Sequence, residues 1–166
     1  MRLILHHAQK GYVLLMALIL LIALTVLALT EVSLNSTQTR IAANATDTEI
    51  SFEKTEGALN EAINYLLNGT YSANDFLQNG NGLYVLDPTA APLWKTVDWS
   101  STAAVIKSFQ GNSNSQSSYI IEQLPSVIRP GQNMKTPTFI YRITARSLGT
   151  NGNTALLLQS TILIQG

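Results

Sequence analysis

Histidine and cysteine, the side chains that most often act in catalysis or bind transition metals, are scarce in this chain of 166 residues. It has no cysteine, and its 2 histidines, His6 and His7, both precede Gly11. If residues 1–11 are cleaved, the remaining chain has neither type. That would exclude a Ser-His-Asp triad, a cysteine nucleophile and a zinc site with nitrogen or sulfur ligands. We therefore expect no catalytic residue, metal or cofactor, although chemistry on carboxylates alone stays formally open.

Two aspartates could contribute oxygen ligands to a cation. Asp87 and Asp98 are separated in sequence and have asparagines nearby. They do not form the dense D-x-D-x-D-G pattern of a calcium loop. Turn-forming acids are therefore the favoured interpretation, and an oxygen-ligand cation site is the alternative.

Two other pairs of side chains could bind a partner. Arg142 and Arg146 fall on one face of a predicted strand and could contact an acidic partner, although a solvated sheet face is the default. Trp94 and Trp99 could form an exposed adhesive patch, although half-buried packing is favoured.

The charge balance argues against a nucleic-acid partner. Lys and Arg total 10, Asp and Glu total 10, and only 12% of the residues are charged. No basic stripe or acidic run is present, so the chain lacks the electrostatic footprint of nucleic-acid binding.

An uncharged apolar run over residues 12–29 dominates the N-terminal part of the chain. It has the length of a helix that crosses a bilayer core of roughly 30 Å, and it lacks the polar face of a soluble core helix. Arg2 and Lys10 precede the run, and Glu31 is the first charge after it. Because positive charge stays on the cytoplasmic side, we expect a single membrane pass with the following domain outside.

Residues 31–68 are predicted to continue the same helix, because no proline occurs from 12 to 87. Glycine at 57 should mark local thinning of the helix or close packing, and Gly69 should end the helix in a left-handed cap. A stripe at helical spacing should face a sheet: Ile41, Ala45, Thr48, Phe52, Thr55, Leu59, Ala62 and Leu66. Glu61 should point away from that stripe.

The strand signals lie in the C-terminal third. Residues 69–117 are rich in loops, with a short strand over 83–86, an ambiguous segment over 103–109 and a polar loop over 111–118. Residues 119–124 form a strand that Pro125 should end.

Residues 139–146 alternate between apolar and polar side chains, and a hairpin turn at Asn151-Gly152 should lead into a last strand over 154–165. The predicted fold class is α+β: a long N-terminal helix packed on a C-terminal antiparallel sheet.

Three stretches of the chain form a recognisable set of motifs. The first is the junction KGYVL at residues 10–14. The second is AN at 43–44 with SFEKTEGAL at 51–59. The third is YRITAR at 141–146, followed by Gly149 and LQS at 158–160. In this order the three stretches resemble the PilX family of type IV pilus minor pilins, and residues 69–117 match nothing in this resemblance.

The resemblance implies processing of a prepilin. A prepilin peptidase would cut between Gly11 and Tyr12, and the new amine of Tyr12 would be methylated. Most major pilins carry Glu at the fifth mature position, where this chain has Met16. A subunit without that Glu cannot receive a neighbour's amine, which suits a tip or initiating position. The residues expected to pack in the filament are Tyr12, Met16, Leu20, Leu24 and Glu31.

The resemblance also implies a domain plan. Residues 1–11 would be the leader and 12–30 the transmembrane and filament-core helix. Residues 31–68 would be its amphipathic continuation, and 69–166 the pilin head.

The implied partners are other minor pilins, the major pilin, the prepilin peptidase and the pilus assembly platform, with a tip adhesin as a further candidate. The subunit would start in the inner membrane with its head in the periplasm and later reach the pilus on the cell surface.

Two alternatives remain open from the sequence. One is a membrane-anchored periplasmic binding or sensor module, in which the apolar helix is a signal anchor. The other is a K-type pseudopilin of type II secretion, which also lacks the Glu, although that family usually has a much larger head.

Overall fold

The computed structural model describes residues 8–108, 117–150, 152 and 154–165. Contacts divide the chain into two units, Met1–Ala45 and Thr46–Gly166. The helices and strands have these bounds: α1 Ala8–Leu67, α2 Ala73–Leu77, β1 Leu83–Val85, α3 Leu93–Thr96, β2 Ile106–Lys107, β3 Ser118–Val127, β4 Thr138–Leu148 and β5 Ala155–Gln165. Most of the predicted leader, nearly all of the polar loop over 111–118 and Asn151 of the predicted turn lie outside the described residues.

Helix α1 confirms the prediction of one helix that continues past the apolar run. It is 60 residues long and ends where the sequence predicted. Gly69 has φ 67°. Its amide donates to the Leu66 carbonyl at 3.1 Å, and the Thr70 amide donates to the Tyr65 carbonyl at 3.0 Å. These two bonds form a Schellman cap, which satisfies carbonyls that the helix end would otherwise leave open.

The sheet is mostly antiparallel, with strand order β1-β3-β4-β5 and β2 also paired with β3. The predicted C-terminal hairpin is present, because β4 and β5 pair from Thr138 opposite Gln165 to Leu148 opposite Ala155. Strand β1 is the exception to the antiparallel pattern, since it runs parallel to β3 with Leu83 opposite Ile121. The chain reaches β3 from β1 through α3 and β2, which supplies the long connection that a parallel pair needs.

Strand β3 does not end at Pro125, so that prediction was wrong. The strand continues to Val127, which pairs with Thr138 of β4. The register shifts between Leu124 and Val127, around the proline. A proline lacks the amide proton of a ladder hydrogen bond and is tolerated at such an irregularity. The shift therefore allows the strand to pass the proline.

The core lies in the second unit, between the C-terminal part of α1 and one face of the sheet. Its buried apolar residues come from α1, α2, β1, β3 and β4: Ala58, Ala62, Leu66, Phe76, Leu83, Tyr119, Ile121, Ile143 and Ala145. Strand β5 adds Ile162 and Ile164, which are partly buried against this cluster. The described residues thus form the expected α+β, pilin-like fold, a long N-terminal helix with a mostly antiparallel five-stranded sheet.

The buried face of α1 is rotated from the predicted stripe. Thr55, like Ala62 and Leu66, is buried as predicted, but Phe52 is 47% exposed and Ser51 is buried in its place. The Thr55 hydroxyl lies 2.7 Å from the Ser147 hydroxyl of β4, and the Ser147 hydroxyl donates to the Ser51 carbonyl at 2.8 Å. Small hydroxyl side chains allow the helix to approach the strand closely, and a phenylalanine on that face would not fit. We call these three residues the hydroxyl seam.

Glu61 does not point away from the sheet, contrary to the prediction. Its carboxylate accepts hydrogen bonds from the Ser108 hydroxyl at 2.9 Å and from the Tyr119 hydroxyl at 3.3 Å. Tyr119 is fully buried, and its hydroxyl also lies 3.4 Å from that of Tyr71. Burial, with smaller effects of Tyr71 and Glu61, raises the pKa of Tyr119. The phenol therefore stays neutral and serves as a buried hydrogen-bonding group.

Candidate functional site

The apolar part of α1 has no protein partner within the described chain. Residues 11–46 are all exposed. The helix over Gly11–Leu67 is long and apolar enough to cross a membrane, and none of its most apolar window is buried. An exposed apolar surface of this size needs lipid or other helices around it. It is therefore the first candidate functional surface.

The predicted packing residues lie near one another on this helix. Tyr12, Met16, Leu20 and Leu24 follow one another at steps of four, and all are exposed. Glu31 is exposed as well and falls seven positions after Leu24. At 3.6 residues per turn these side chains occupy about a third of the helix circumference. The helix thus brings the predicted packing residues onto one side.

The threonines in and next to the apolar run are satisfied within the helix. The Thr25 hydroxyl donates to the Leu21 carbonyl, and the Thr30 hydroxyl donates to the Val26 carbonyl at 2.8 Å. A hydroxyl bonded in this way exposes no open donor to an apolar environment. Both threonines are therefore compatible with a membrane or a helix bundle.

The cleavage site proposed from the sequence lies inside α1. Gly11 and Tyr12 are both helical and exposed, and Tyr12 is 63% exposed. A Cβ at Gly11 would meet no atom within 4 Å. The junction thus lies on an exposed part of the helix.

A buried ion pair lies on the sheet face opposite α1. Arg142 of β4 donates through Nε and Nη2 to the two carboxylate oxygens of Glu122 on β3, each at 2.8 Å. Glu122 is 2% exposed, and the Arg142 side chain is 24% exposed. The hydrogen bonds from Arg142 to Glu122, opposed in part by burial, raise the pKa of Arg142. Each charge of this pair is therefore matched by the opposite charge of its partner.

The face that carries this ion pair is only partly exposed to solvent, since Arg142 and Arg146 are both half-buried, so it is not the open, solvated face of the default interpretation. A cavity of about 400 Å³ above Arg142 is lined by Pro88, Pro92 and Leu93, among other residues of the connection between β1 and β2. That connection thus covers part of the face that the alternation predicted to be exposed. Its irregular sequence gave no signal that could have predicted this.

The two tryptophans are half-buried, as the sequence favoured. The Trp99 indole donates to the Trp94 carbonyl at 3.1 Å. Lys95 Nζ lies 5.0 Å from the Trp94 ring centre, and the Arg146 guanidinium carbon lies 5.7 Å from the Trp99 ring centre. Both rings therefore contact cations, which is a favourable geometry for cation–π attraction.

The two candidate cation-binding aspartates are turn acids, as favoured. Asp87 accepts from the Thr89 amide at 2.8 Å, and Asp98 accepts from the Ser100 amide at 2.9 Å. Side-chain and backbone hydrogen bonds from these neighbours lower the pKa of both aspartates. In the part of the chain that the structure describes, no group of three or more metal-ligating side chains occurs.

Asp47 of α1 fixes the hairpin between β4 and β5, a contact that the sequence analysis missed. The Thr150 amide donates to the Asp47 carboxylate at 2.6 Å, and this bond is the main cause that lowers the pKa of Asp47. A Cβ at Gly149 would overlap the same carboxylate. The two residues are about a hundred positions apart, so no local pattern could have indicated the contact.

Comparison with known proteins gives one family match. The family described as type IV pilus assembly protein PilX, C-terminal part, matches residues 35–164. Searches of the curated proteins and of the solved structures found no match. The family match spans most of the chain and includes the hydroxyl seam, the ion pair and the C-terminal hairpin, but it does not reach the apolar run. This chain belongs to the PilX family of type IV pilus assembly proteins.

Proposed function

We propose that the chain is a minor pilin that enters a type IV pilus by packing its N-terminal helix among the helices of other pilins. The observation that carries the proposal is the exposed apolar surface over residues 12–29, which has no protein partner within the described chain. The same surface suits lipid before assembly and neighbouring helices afterwards, because both surroundings are apolar. Membership of a pilus-assembly family, not an enzyme family, supports a structural role.

The proposal includes processing at the N-terminus. A prepilin peptidase cuts between Gly11 and Tyr12, and the Tyr12 amine is methylated. Residues 12–30 then form the membrane and filament-core segment, residues 31–68 continue the helix, and 69–166 form the head. Before assembly the subunit crosses the inner membrane once with its head in the periplasm, and afterwards it is part of the pilus at the cell surface.

The proposal also assigns the subunit a position. Met16 stands where most major pilins have Glu, and a buried amine without a carboxylate partner is costly. A neighbour's amine is therefore not neutralised at this position, which suits a priming or tip complex. The partners in that complex are other minor pilins, the major pilin and the assembly platform, with a tip adhesin as a further candidate.

The absence of cysteine allows a direct test of helix packing. Leu24→Cys places one thiol in the apolar segment, and Met134→Cys places one at a position of the head that is 82% exposed. Each variant is expressed in cells that assemble pili, together with partner pilins that carry a cysteine at the corresponding helix position. The cells are then treated with a membrane-permeable bis-maleimide. We expect Leu24→Cys to cross-link to other pilins. The Met134→Cys control should give no cross-link with the same bis-maleimide.

The same cells distinguish the alternatives. Mass spectrometry of the N-terminus gives methylated Tyr12 if the chain is a processed pilin, and Met1 if the helix is a signal anchor of a binding or sensor module. An intact Met1, together with no cross-link from Leu24→Cys, would reject the proposal. Cross-links to type II secretion pseudopilins in place of pilus subunits would favour the K-type pseudopilin.

A further inference from the structure

A second cavity in the head, which we call the basic pocket, has a volume of about 460 Å³. It is lined by Trp99, Ser100, Lys107, Ser118 and Arg146, together with Ser147 and Leu148. Two of these residues are cations, three are serines and none is acidic. The composition of the pocket therefore favours a negatively charged ligand.

The strand register places the two cations on either side of one serine. Lys107 of β2 lies opposite Ser118 of β3, and Ser118 lies opposite Arg146 of β4. Neighbouring strands are about 4.8 Å apart, so the two cationic residues are separated by roughly 10 Å at the backbone. Their long side chains can converge on one group of a few ångströms held between them.

Both cations keep donors available for a ligand. Lys107 Nζ donates to the Trp99 carbonyl at 3.0 Å, and an ammonium group has two further donors. The Arg146 guanidinium carbon lies over the Trp99 ring, 5.7 Å from the ring centre, and a guanidinium group carries five N–H donors. The salt bridge between Arg142 and Glu122 involves neither cation of the pocket.

The Asp98 carboxylate lies outside the pocket lining but interacts electrostatically with Lys107. Hydrogen bonds from Ser100 and, as the smallest cause, the charge of Lys107 lower the pKa of Asp98. Its Oδ1 atom already accepts from the Ser100 amide and hydroxyl. Asp98 thus offsets part of the Lys107 charge.

We propose that the basic pocket binds a phosphate-sized oxyanion, with Arg146 donating from its guanidinium edge and Lys107 from its ammonium group. Two cations match the double charge of a phosphoryl group, and the fixed fork of arginine matches its oxygens. The volume lies within the usual range for small-molecule sites, so the phosphoryl group can be a free ion or part of a small phosphomonoester. The proposal is independent of the pilin assignment, since it concerns the head alone.

Trp99 provides the readout. The chain has 2 tryptophans, so Trp94→Phe leaves Trp99 as the single indole fluorophore. The full-length chain in detergent is titrated with inorganic phosphate at constant ionic strength, and a parallel titration uses glycerol phosphate. We expect a saturable change in Trp99 emission, because a ligand on Arg146 alters the charge beside the ring. If glycerol phosphate binds more tightly than inorganic phosphate, the preferred ligand of the pocket is a phosphomonoester. If inorganic phosphate binds equally or more tightly, the preferred ligand is the free ion.

Three variants decide whether the pocket is the site. Arg146→Gln and Lys107→Gln should each weaken the apparent affinity at least tenfold. Lys95→Gln is the matched control, because it removes one positive charge from the same head outside the pocket lining and should change the affinity less than twofold. Calorimetric titration of the unmodified chain checks the fluorescence result.

Absence of a saturable change in both fluorescence and calorimetry would overturn the proposal. An equal loss of affinity in Lys95→Gln would overturn it as well, because the effect would then be one of net charge. Circular dichroism of each variant verifies folding, and Arg146→Lys, which keeps the charge without the fork, should retain part of the affinity.

Discussion

Replacing Arg142 with leucine should destabilise the head strongly, because it leaves the Glu122 carboxylate buried without its partner. Glu122 is 2% exposed and accepts both of its hydrogen bonds from Arg142. Removal of one member of a buried ion pair typically costs about 3 to 5 kcal/mol. For a chain of this size that corresponds to a fall in Tm of roughly 10 °C.

Thermal unfolding of the full-length chain in detergent measures this loss. Both tryptophans lie in the second unit, so their fluorescence reports on the head and not on the apolar segment of α1.

The double variant E122L/R142L is the matched control. It removes both charges and fills the same space with apolar atoms, so it should be clearly more stable than the Arg142→Leu single variant. A Tm within about 2 °C of the parent for the single variant would refute the assigned energetic role of the ion pair. Equal losses in the single and double variants would show that packing of the arginine stem, not charge, is what matters.

Three further predictions concern α1. Gly57→Ala should raise the free energy of unfolding by about 0.5–1 kcal/mol, because a Cβ there meets no atom within 4 Å and alanine favours the helix. Chemical denaturation measures this change, and a loss of stability would contradict the prediction. Thr55→Val should lower the free energy of unfolding by about 1–2 kcal/mol, because it removes the buried hydroxyl beside Ser147. The control Thr39→Val, at an exposed position, should lower it little. Equal effects in the two variants would argue against the hydroxyl seam. Folding lowers the pKa of Asp47, so its stabilising effect is present above the unfolded value near 3.8 and is lost as the pH falls through the folded value. Asp47→Ala should therefore lower Tm at pH 7, and the difference from the parent should shrink as the pH falls below 3.8.

Glycine at 57 shows how a local pattern can predict the element and leave its surroundings open. The sequence predicted local thinning of the helix or close packing at this position. A Cβ there would meet no atom within 4 Å, so close packing against the described chain is the alternative that the structure does not show.

Phe52 and Pro125 show why the other local predictions failed. Mostly apolar side chains at helical spacing define the predicted stripe, but close approach of a helix to a strand selects small side chains such as Ser51 and Thr55. Pro125 would end a regular strand, but a register shift in the pairing with β4 accommodates it. Both outcomes depend on the partner strand, which a local window does not contain.

The sequence by itself determined the elements whose signals are local. Length and absence of charge defined the apolar run, the lack of proline defined the continuous helix, and Gly69 defined its end. Alternation of side chains and turn chemistry defined the β4–β5 hairpin, and spaced motifs indicated the family.

Tertiary structure alone decided which polar groups are paired and which face of the sheet is covered. The Glu122–Arg142 pair, the contact of Asp47 with Thr150 and the basic pocket all join segments far apart in the chain. Their stability depends on burial and on donor–acceptor geometry, which arise when the connection between β1 and β2 covers the sheet. The pattern of Arg142 and Arg146 on one strand face was visible in the sequence, but whether that face meets water, a carboxylate or a tryptophan was decided by packing.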